Sequence, residues 1–314
     1  MPGDYTTAAL LASIRRRGML PNSGDALDDS DLLVLANEEL QEYVVPFLLS
    51  VNEEYLVATA DQQLTPGLAS YPIPSRAVGG KLRDVKLLVD GTFASLERVE
   101  PERDSDYVGT GDVLAFKIQG NSVVLLPTPA TPGTLRFVFY RRPAELVALP
   151  SSSVGQIYQI SADTPSAGFT MLRTTGANWI SSGGKTFDVV RSKPGFESLM
   201  ADLVGSYNPG QNQMYFPSQA VPPFVAVGDY LCLADQAPVP QLPLELHPLL
   251  VQRTVVRALE AIGDARAEAA DARCERTKKE LLTLLSPRTE GKGRVIVNRN
   301  APGFGRFRRG WFQS

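Results

Sequence analysis

The chain has 314 residues, 43% of them hydrophobic, with 31 Lys and Arg against 34 Asp and Glu, one histidine and two cysteines. That length suits one large domain or two ordinary ones with a filled core; one histidine and two widely spaced cysteines argue against a metal knuckle or a disulfide scaffold. No apolar run reaches the roughly 18 residues of a membrane span, and Arg15 to Arg17 follow the first apolar stretch instead of preceding it, so neither a membrane segment nor a secretory signal is expected.

Residues 6–17 read as a short helix. Thr6 or Thr7 caps it, Ala8, Leu10, Leu11 and Ile14 form its apolar side, and the three arginines suit its negative end before Gly18. A longer helix is expected from about Asp29 to Val57, capped by Asp28, Asp29 or Ser30. Leu33, Ala36, Leu40, Tyr43, Val44, Phe47, Val51 and Tyr55 give it one stripe at three-to-four spacing, and Pro46 inside that stripe predicts a kink.

After about residue 65 the pattern turns to short runs separated by turn residues: KLRDVKLLV, DVLAFKIQ, SVVLLP, TLRFVFYRR, GQIYQIS, FTMLRTT, KTFDVVRS and DYLCLAD. Gly120-Asn121 between two alternating runs reads as a hairpin turn. This stretch is expected to build one or two small barrels or sandwiches. A third helix then opens near Pro243, carries Leu246, Leu249, Leu250, Val255, Val256, Leu259 and Ile262 on one face, loosens at Gly263-Asp264, continues to about Leu285 and stops before Pro287. The reading is an α+β chain: helices over 1–65, a β domain over 66–240 made of one module or of two split near 150, a long helix over 241–290 and a tail over 291–314. The simplest packing is an antiparallel helical bundle with the β domain inserted between its arms.

Charge is segregated along this plan. Between Gly18 and Ser75 there is no Lys or Arg but ten acids, among them Asp31, Glu38, Glu39, Glu42, Glu53 and Glu54. From Gly291 to Ser314 there are six bases and no acid, ending in GFGRFRRGWFQS. Complementary poles of this kind suit contact with neighbouring copies or an acidic partner surface. Nucleic acid fits less well, because the chain as a whole carries a net charge of -3.

Enzyme chemistry finds little support. SSGGKT at 181–186 resembles the end of a phosphate-binding loop, but Trp179 stands where the first glycine is required and a strand pattern follows. His247 sits at a helix start with no nucleophile elbow nearby and reads as a helix-end or interface contact. A carboxylate pair on the β region, as in a glycan hydrolase, is not singled out by any residue. No catalytic residue, cofactor or metal is expected.

LANEELQEYVVPFLLSVNEEYLV, YPIPSRAVGGKLRDVKLL, VVRSKPGFESL and VGDYLCLADQAPVPQLPLELHPLLVQRTVVRALEAIGD, in that order, resemble the head-to-tail connector (tail adaptor) proteins of short-tailed bacteriophages. The resemblance runs from about Ser30 to Arg299 and is weakest over about 150–235. It implies a virion protein of the neck, made in the bacterial cytoplasm, that forms a ring, usually of twelve copies, under the portal. Its helices would line a channel through which DNA leaves without specific binding, and its β domain would meet tail tube, nozzle or fibre proteins. It also implies that the tail docks on the portal, with Phe304, Phe307, Trp311 and Phe312 as apolar anchors and Arg306, Arg308 and Arg309 paired with acids. The acidic helix residues Asp31, Glu38, Glu39, Glu42, Glu53 and Glu54 would face the channel or a neighbouring subunit. The competing reading is an oligomeric virion protein whose β domain binds fibres or a receptor.

Overall fold

In the computed structural model, which describes residues 5–20, 27–100, 107, 109–149, 153–162, 169–175, 185–192, 198–208 and 213–285, Thr6 caps helix α1 (Thr7–Gly18). Its side-chain oxygen accepts from the Ala9 N–H at 3.4 Å, and Leu10, Leu11 and Ile14 are buried. Helix α2 (Asp29–Glu39) starts in a capping box: the Asp28 carboxylate accepts from the Asp31 N–H at 2.8 Å, and the Asp31 carboxylate accepts from the Asp28 N–H at 3.0 Å.

The kink expected at Pro46 takes the form of a widened turn. Leu40–Val44 is π-helical, and the Val45 N–H reaches back to the Leu40 carbonyl before helix α3 (Val45–Val51) resumes. Proline has no N–H, and its ring would collide with the carbonyl four residues back; the wider turn relieves both. Leu32, Ala36, Leu40, Val44, Phe47 and Leu48 are buried, with Leu33, Tyr43, Val51 and Tyr55 half-buried beside them. The helix expected to reach Val57 stops at Val51, and after a 3-10 turn the chain is already a strand at Val57.

That strand begins the first β region: β1 (Val57–Leu64), β2 (Ser70–Pro72), β3 (Ala77–Val89), β4 (Thr92–Ser95), β5 (Glu97–Arg98), β6 (Thr110–Gly111), β7 (Ala115–Gln119), β8 (Ser122–Leu126), β9 (Thr128–Pro129), β10 (Gly133–Arg141) and β11 (Glu145–Leu146). Its two main sheets have the orders β1-β10-β3-β4 and β2-β8-β7-β5, and they share a core that includes Tyr71, Val85, Val123, Leu125, Leu135 and Phe137. The hairpin at Gly120-Asn121 is present: Gln119 pairs with Ser122, and Gly120 alone takes positive φ, at 59°.

The second β region holds β12 (Val154–Ala162), β13 (Phe169–Thr175), β14 (Thr186–Val190), β15 (Ser198–Val204), β16 (Ser206–Asn208), β17 (Gln213–Pro217), β18 (Tyr230–Leu233) and β19 (Gln236–Ala237). All but β19 form an open seven-stranded sheet of order β15-β14-β18-β12-β13-β17-β16. Phe187 and Phe216 meet edge to face in its core, centroids 5.9 Å apart. β19 pairs in parallel with β11, tying the second region to the end of the first.

The C-terminal helix is two helices. Helix α4 (His247–Ala261) ends where Gly263 adopts φ of 68°, the Asp264 N–H bonds the Leu259 carbonyl and the Gly263 N–H bonds the Glu260 carbonyl. This is a left-handed C-cap that only glycine takes without strain. Helix α5 (Arg266–Leu285) then packs back along α4. α1, α2 and α4 share one core, in which Leu249, Leu250, Val256 and Leu259 meet the buried stripe of α2 and α3, and α5 adds Cys274 and Leu281.

Candidate interaction sites

The acidic residues of the N-terminal helices fall into two groups. Glu39 is 2% exposed, and its two oxygens lie 2.9 Å from Arg253 Nε and 2.9 Å from Arg257 Nε. Arg253 also reaches Asp271 at 2.9 Å and stacks over the Tyr43 ring, whose hydroxyl donates to Glu275 at 2.7 Å. Burial, and then this bond to a carboxylate, push the Tyr43 hydroxyl well above its usual pKa. Glu39 therefore joins α2, α4 and α5 within one chain. Asp31 caps α2, Glu53 accepts from the Tyr140 hydroxyl at 2.8 Å, and Glu54 holds Arg83 through two bonds of 2.6 Å, which lower the Glu54 pKa.

The outer side of α2 and the π turn after it keep Asp31, Glu38 and Glu42 exposed around Val34, and among the described residues Glu42 has a single ion contact, 3.5 Å to Arg257. On the outer side of α5, Arg273, Arg276 and Lys279 are exposed at three-residue spacing, with no ion pair among the described residues, and Glu280 is exposed among them. One helical unit thus presents an acidic face and a face on which bases outnumber acids.

A second constellation joins the two β regions. Arg76, in the turn before β3, is 4% exposed and grips the fully buried Asp188 of β14 with bonds of 2.6 and 3.0 Å. Its Nη2 also reaches Asp202 at 2.6 Å, and its Nε lies 3.0 Å from Asp235 as an ion pair without hydrogen-bond alignment. Asp202 and Asp235 sit in the left-handed region, at φ of 56° and 63°, a conformation that costs a non-glycine residue about 1 kcal/mol or more. Both send their backbone N–H to Asp188, at 3.0 and 3.3 Å. Burial lowers the Arg76 pKa, but the bonds and charge of Asp188, aided by Asp202 and Asp235, more than offset it and hold the pKa above the ordinary value. Arg141 is the reverse case: burial, then the Arg76 charge, lower its pKa.

Beside this cluster runs a cleft of about 610 Å³ between Tyr55–Thr59, Arg141–Pro143, Ser198–Ala201 and Gln241. His247 contributes no reactive group. Its buried Nε2–H donates to the Leu242 carbonyl at 3.3 Å, the ring packs against Tyr5, and burial lowers its pKa to about 4. It is a helix-start contact, one of the roles expected for it. Both cysteines are buried, and burial raises both thiols, Cys274 to about 11.

Sequence reading had no periodic signal for the arginine cluster, since Arg76 and its three aspartates lie far apart along the chain. The one available clue was an aspartate inside the apolar run TFDVV. Phe304, Arg306, Phe307, Arg308, Arg309, Trp311 and Phe312, and the glycines of SSGGKT, lie outside the described residues.

A family model for SU10 adaptor protein matches residues 5–173. The match takes in α1 to α3, the first β region, β12 and the start of β13; α4 and α5 lie beyond it. No curated protein matches the chain. With just over half its length matched, the chain belongs to the SU10 adaptor protein family: it is a phage adaptor protein, a component of the virion.

Proposed function

We propose, from that membership, that the protein is a head-to-tail adaptor whose copies form a ring beneath the portal and continue the DNA channel into the tail. The family match over residues 5–173 is the observation that carries this reading. In the connectors the chain resembles, the ring usually has twelve copies. The helices act as an antiparallel bundle packed against its neighbours, and the β domain, expected over residues 66–240 and opened by β1 at Val57, is inserted between the arms and meets tail tube, nozzle or fibre proteins. The two faces of the helical unit support side-by-side packing: Asp31, Glu38 and Glu42 on one copy are complementary to Arg273, Arg276 and Lys279 on the next. Residues 291–314 form the arm that docks on the portal, with Phe304, Phe307, Trp311 and Phe312 in apolar pockets and Arg306, Arg308 and Arg309 on acids. Repetition around a ring multiplies a weak single arm.

Native mass spectrometry tests this on the chain mixed with the portal ring of the same phage, beside a version cut after Pro302. Loading of an integral number of full-length chains, with none for the cut version, is the expected result. Equal loading of both removes the docking role of the tail; loading of neither removes the connector reading.

A second reading has its own observation. The loop after β17 holds Phe224 and Val227 exposed at 55% and 62%, over a buried Val225 and an Asp229 carboxylate that accepts from the Ala226 N–H at 2.9 Å. A rigid apolar tip of this kind fits a β domain that grips a fibre or a receptor.

A further inference from the structure

The cleft between the two β regions is walled by two sheet ends. Among the described strands, β1 is the terminal strand of its sheet, paired with β10 alone, and β15 is the terminal strand of the seven-stranded sheet, paired with β14 alone. Consecutive residues of both line the cleft, Val57–Thr59 on one side and Ser198–Ala201 on the other. A terminal strand offers a row of unpaired N–H and C=O groups, a template on which another extended segment can pair.

Among the described residues, the charge lining the cleft has one sign. Arg141 and Arg142 are the only ionisable side chains of that described lining apart from the Tyr55 hydroxyl, and no described carboxylate belongs to it. Arg142 is exposed, and among the described residues its side chain makes one long bond, 3.4 Å to the Ser75 carbonyl. Arg141 is 17% exposed, and among the described residues its Nε and Nη2 have no hydrogen-bond partner. The nearest carboxylate, Asp188, lies 3.6 Å away and is already held by both nitrogens of Arg76. A largely buried guanidinium with unmade bonds is costly, and a carboxylate is the group whose planar oxygens match it. Leu56, Val57, Pro143, Leu199 and Met200 supply the apolar part of the wall, and Thr59, Ser198 and Gln241 its neutral polar part.

We infer that this cleft is a docking groove for an extended segment of another protein, bound by strand addition to β1 or β15 and fixed in register by one carboxylate on Arg141 and Arg142. Three or four residues along each wall correspond to about 10–13 Å of extended chain at about 3.3 Å per residue, so one acid near the middle of a short alternating apolar run is the recognition element. The inference stands on the cleft alone and does not depend on how copies pack in a ring or on the tail. Nucleic acid would also seek the arginines, but it has no use for two strand edges. The chain's own terminal segment is basic and would be repelled by them.

The test uses the full chain and two acetylated, amidated heptapeptides, Thr-Val-Thr-Glu-Thr-Val-Thr and its glutamine counterpart, with binding read by calorimetry. The glutamate peptide should bind at least ten times more tightly. Arg142→Glu, at an exposed position that leaves the fold intact, should abolish that preference, as should Arg141→Gln if it folds. Saturating peptide should slow amide exchange at 57–59 or 198–201. No binding, equal affinity for the two peptides, or protection elsewhere would overturn the inference. So would displacement of the peptide by an eight-residue oligothymidylate with the same arginine dependence, or self-association of the chain that Arg142→Glu removes.

Discussion

Replacing Asp188 with asparagine keeps the shape of a fully buried side chain and deletes its charge. The carboxylate accepts from Arg76 at 2.6 and 3.0 Å and from two backbone N–H groups at 3.0 and 3.3 Å. An amide presents one oxygen and one NH2 to four donors, so at least one donor faces another donor. Arg76 then lies in the interior with only Asp202 and Asp235, each about half exposed, and Arg141 loses its nearest counter-charge. Removing one partner of a buried pair costs about 3–5 kcal/mol; the surviving aspartates place this case at the lower end, about 3 kcal/mol. Urea unfolding followed by far-ultraviolet circular dichroism should show the midpoint falling by about 1 M at a slope near 3 kcal/mol/M. Amide exchange should accelerate first in β14 and β18, the strands nearest the lost charge. Adding Arg76→Met to Asp188→Asn should restore part of the loss, because the stranded charge is then gone. A midpoint shift under about 0.3 M, or a double variant that costs the full sum of the two singles, would refute the reasoning.

Glu39→Gln should lower stability by about 2 kcal/mol, a figure reduced because Arg253 and Arg257 keep other carboxylates and are partly solvated; thermal melting of the variant reads it, and an unchanged midpoint would show that the buried carboxylate ties nothing together. His247 is held neutral, with its pKa lowered from 6.5 to about 4, so the unfolded chain binds the extra proton first. Its stabilisation is complete above about pH 6.5 and is lost as pH falls towards 4, by about 3 kcal/mol in all; chemical unfolding of wild type and His247→Gln across that range should differ in slope only there. In Gly205→Ala the new methyl would lie 2.7 Å from the Phe216 ring and 2.8 Å from the Met214 methyl, both buried. Overpacking of this kind costs about 1–3 kcal/mol, and a variant as stable as wild type would mean that the Phe187–Phe216 core yields more easily than its packing implies.

The legible parts of the sequence were those where one local rule acts alone. Ala8 to Arg17 shows a helix because cap, apolar side and terminal charge agree. KLRDVKLLV, TLRFVFYRR and DYLCLAD read as strands because β-branched and aromatic residues recur between turns, and all three are strands. β1 was missed because VATADQQL lacks that composition; pairing along the whole of β10 makes it a strand. The break at Gly263 was read as a loosening because helical periodicity resumes after it, and only the tertiary contact of Cys274 and Leu281 with the helical core rewards a reversal. Glu39 looked like one acid among many because burial is a property of the facing helix, and Arg253 and Arg257 lie some two hundred residues downstream. The cleft was illegible for the same reason: Arg141 sits in an ordinary strand, and its unmade hydrogen bonds appear only when Arg76 takes Asp188.

The buried stripe of α2 and α3 meets its main partner, α4, only after both β regions have been made. At about 5–20 residues per second, the ribosome delivers Leu249 and Leu250 roughly ten to forty seconds after Leu48. For that interval Leu32, Leu40, Val44 and Leu48 have no cover from α4, while the strands between can already pair with their neighbours. The first β region can therefore complete its own core during synthesis, and the helices can close only once α4 is made, over a long loop that the arginine cluster and the β11–β19 pair shorten in the finished fold. Damage to that junction should therefore show up as slow, aggregation-prone maturation of the nascent chain before it shows up as lost stability in the finished one.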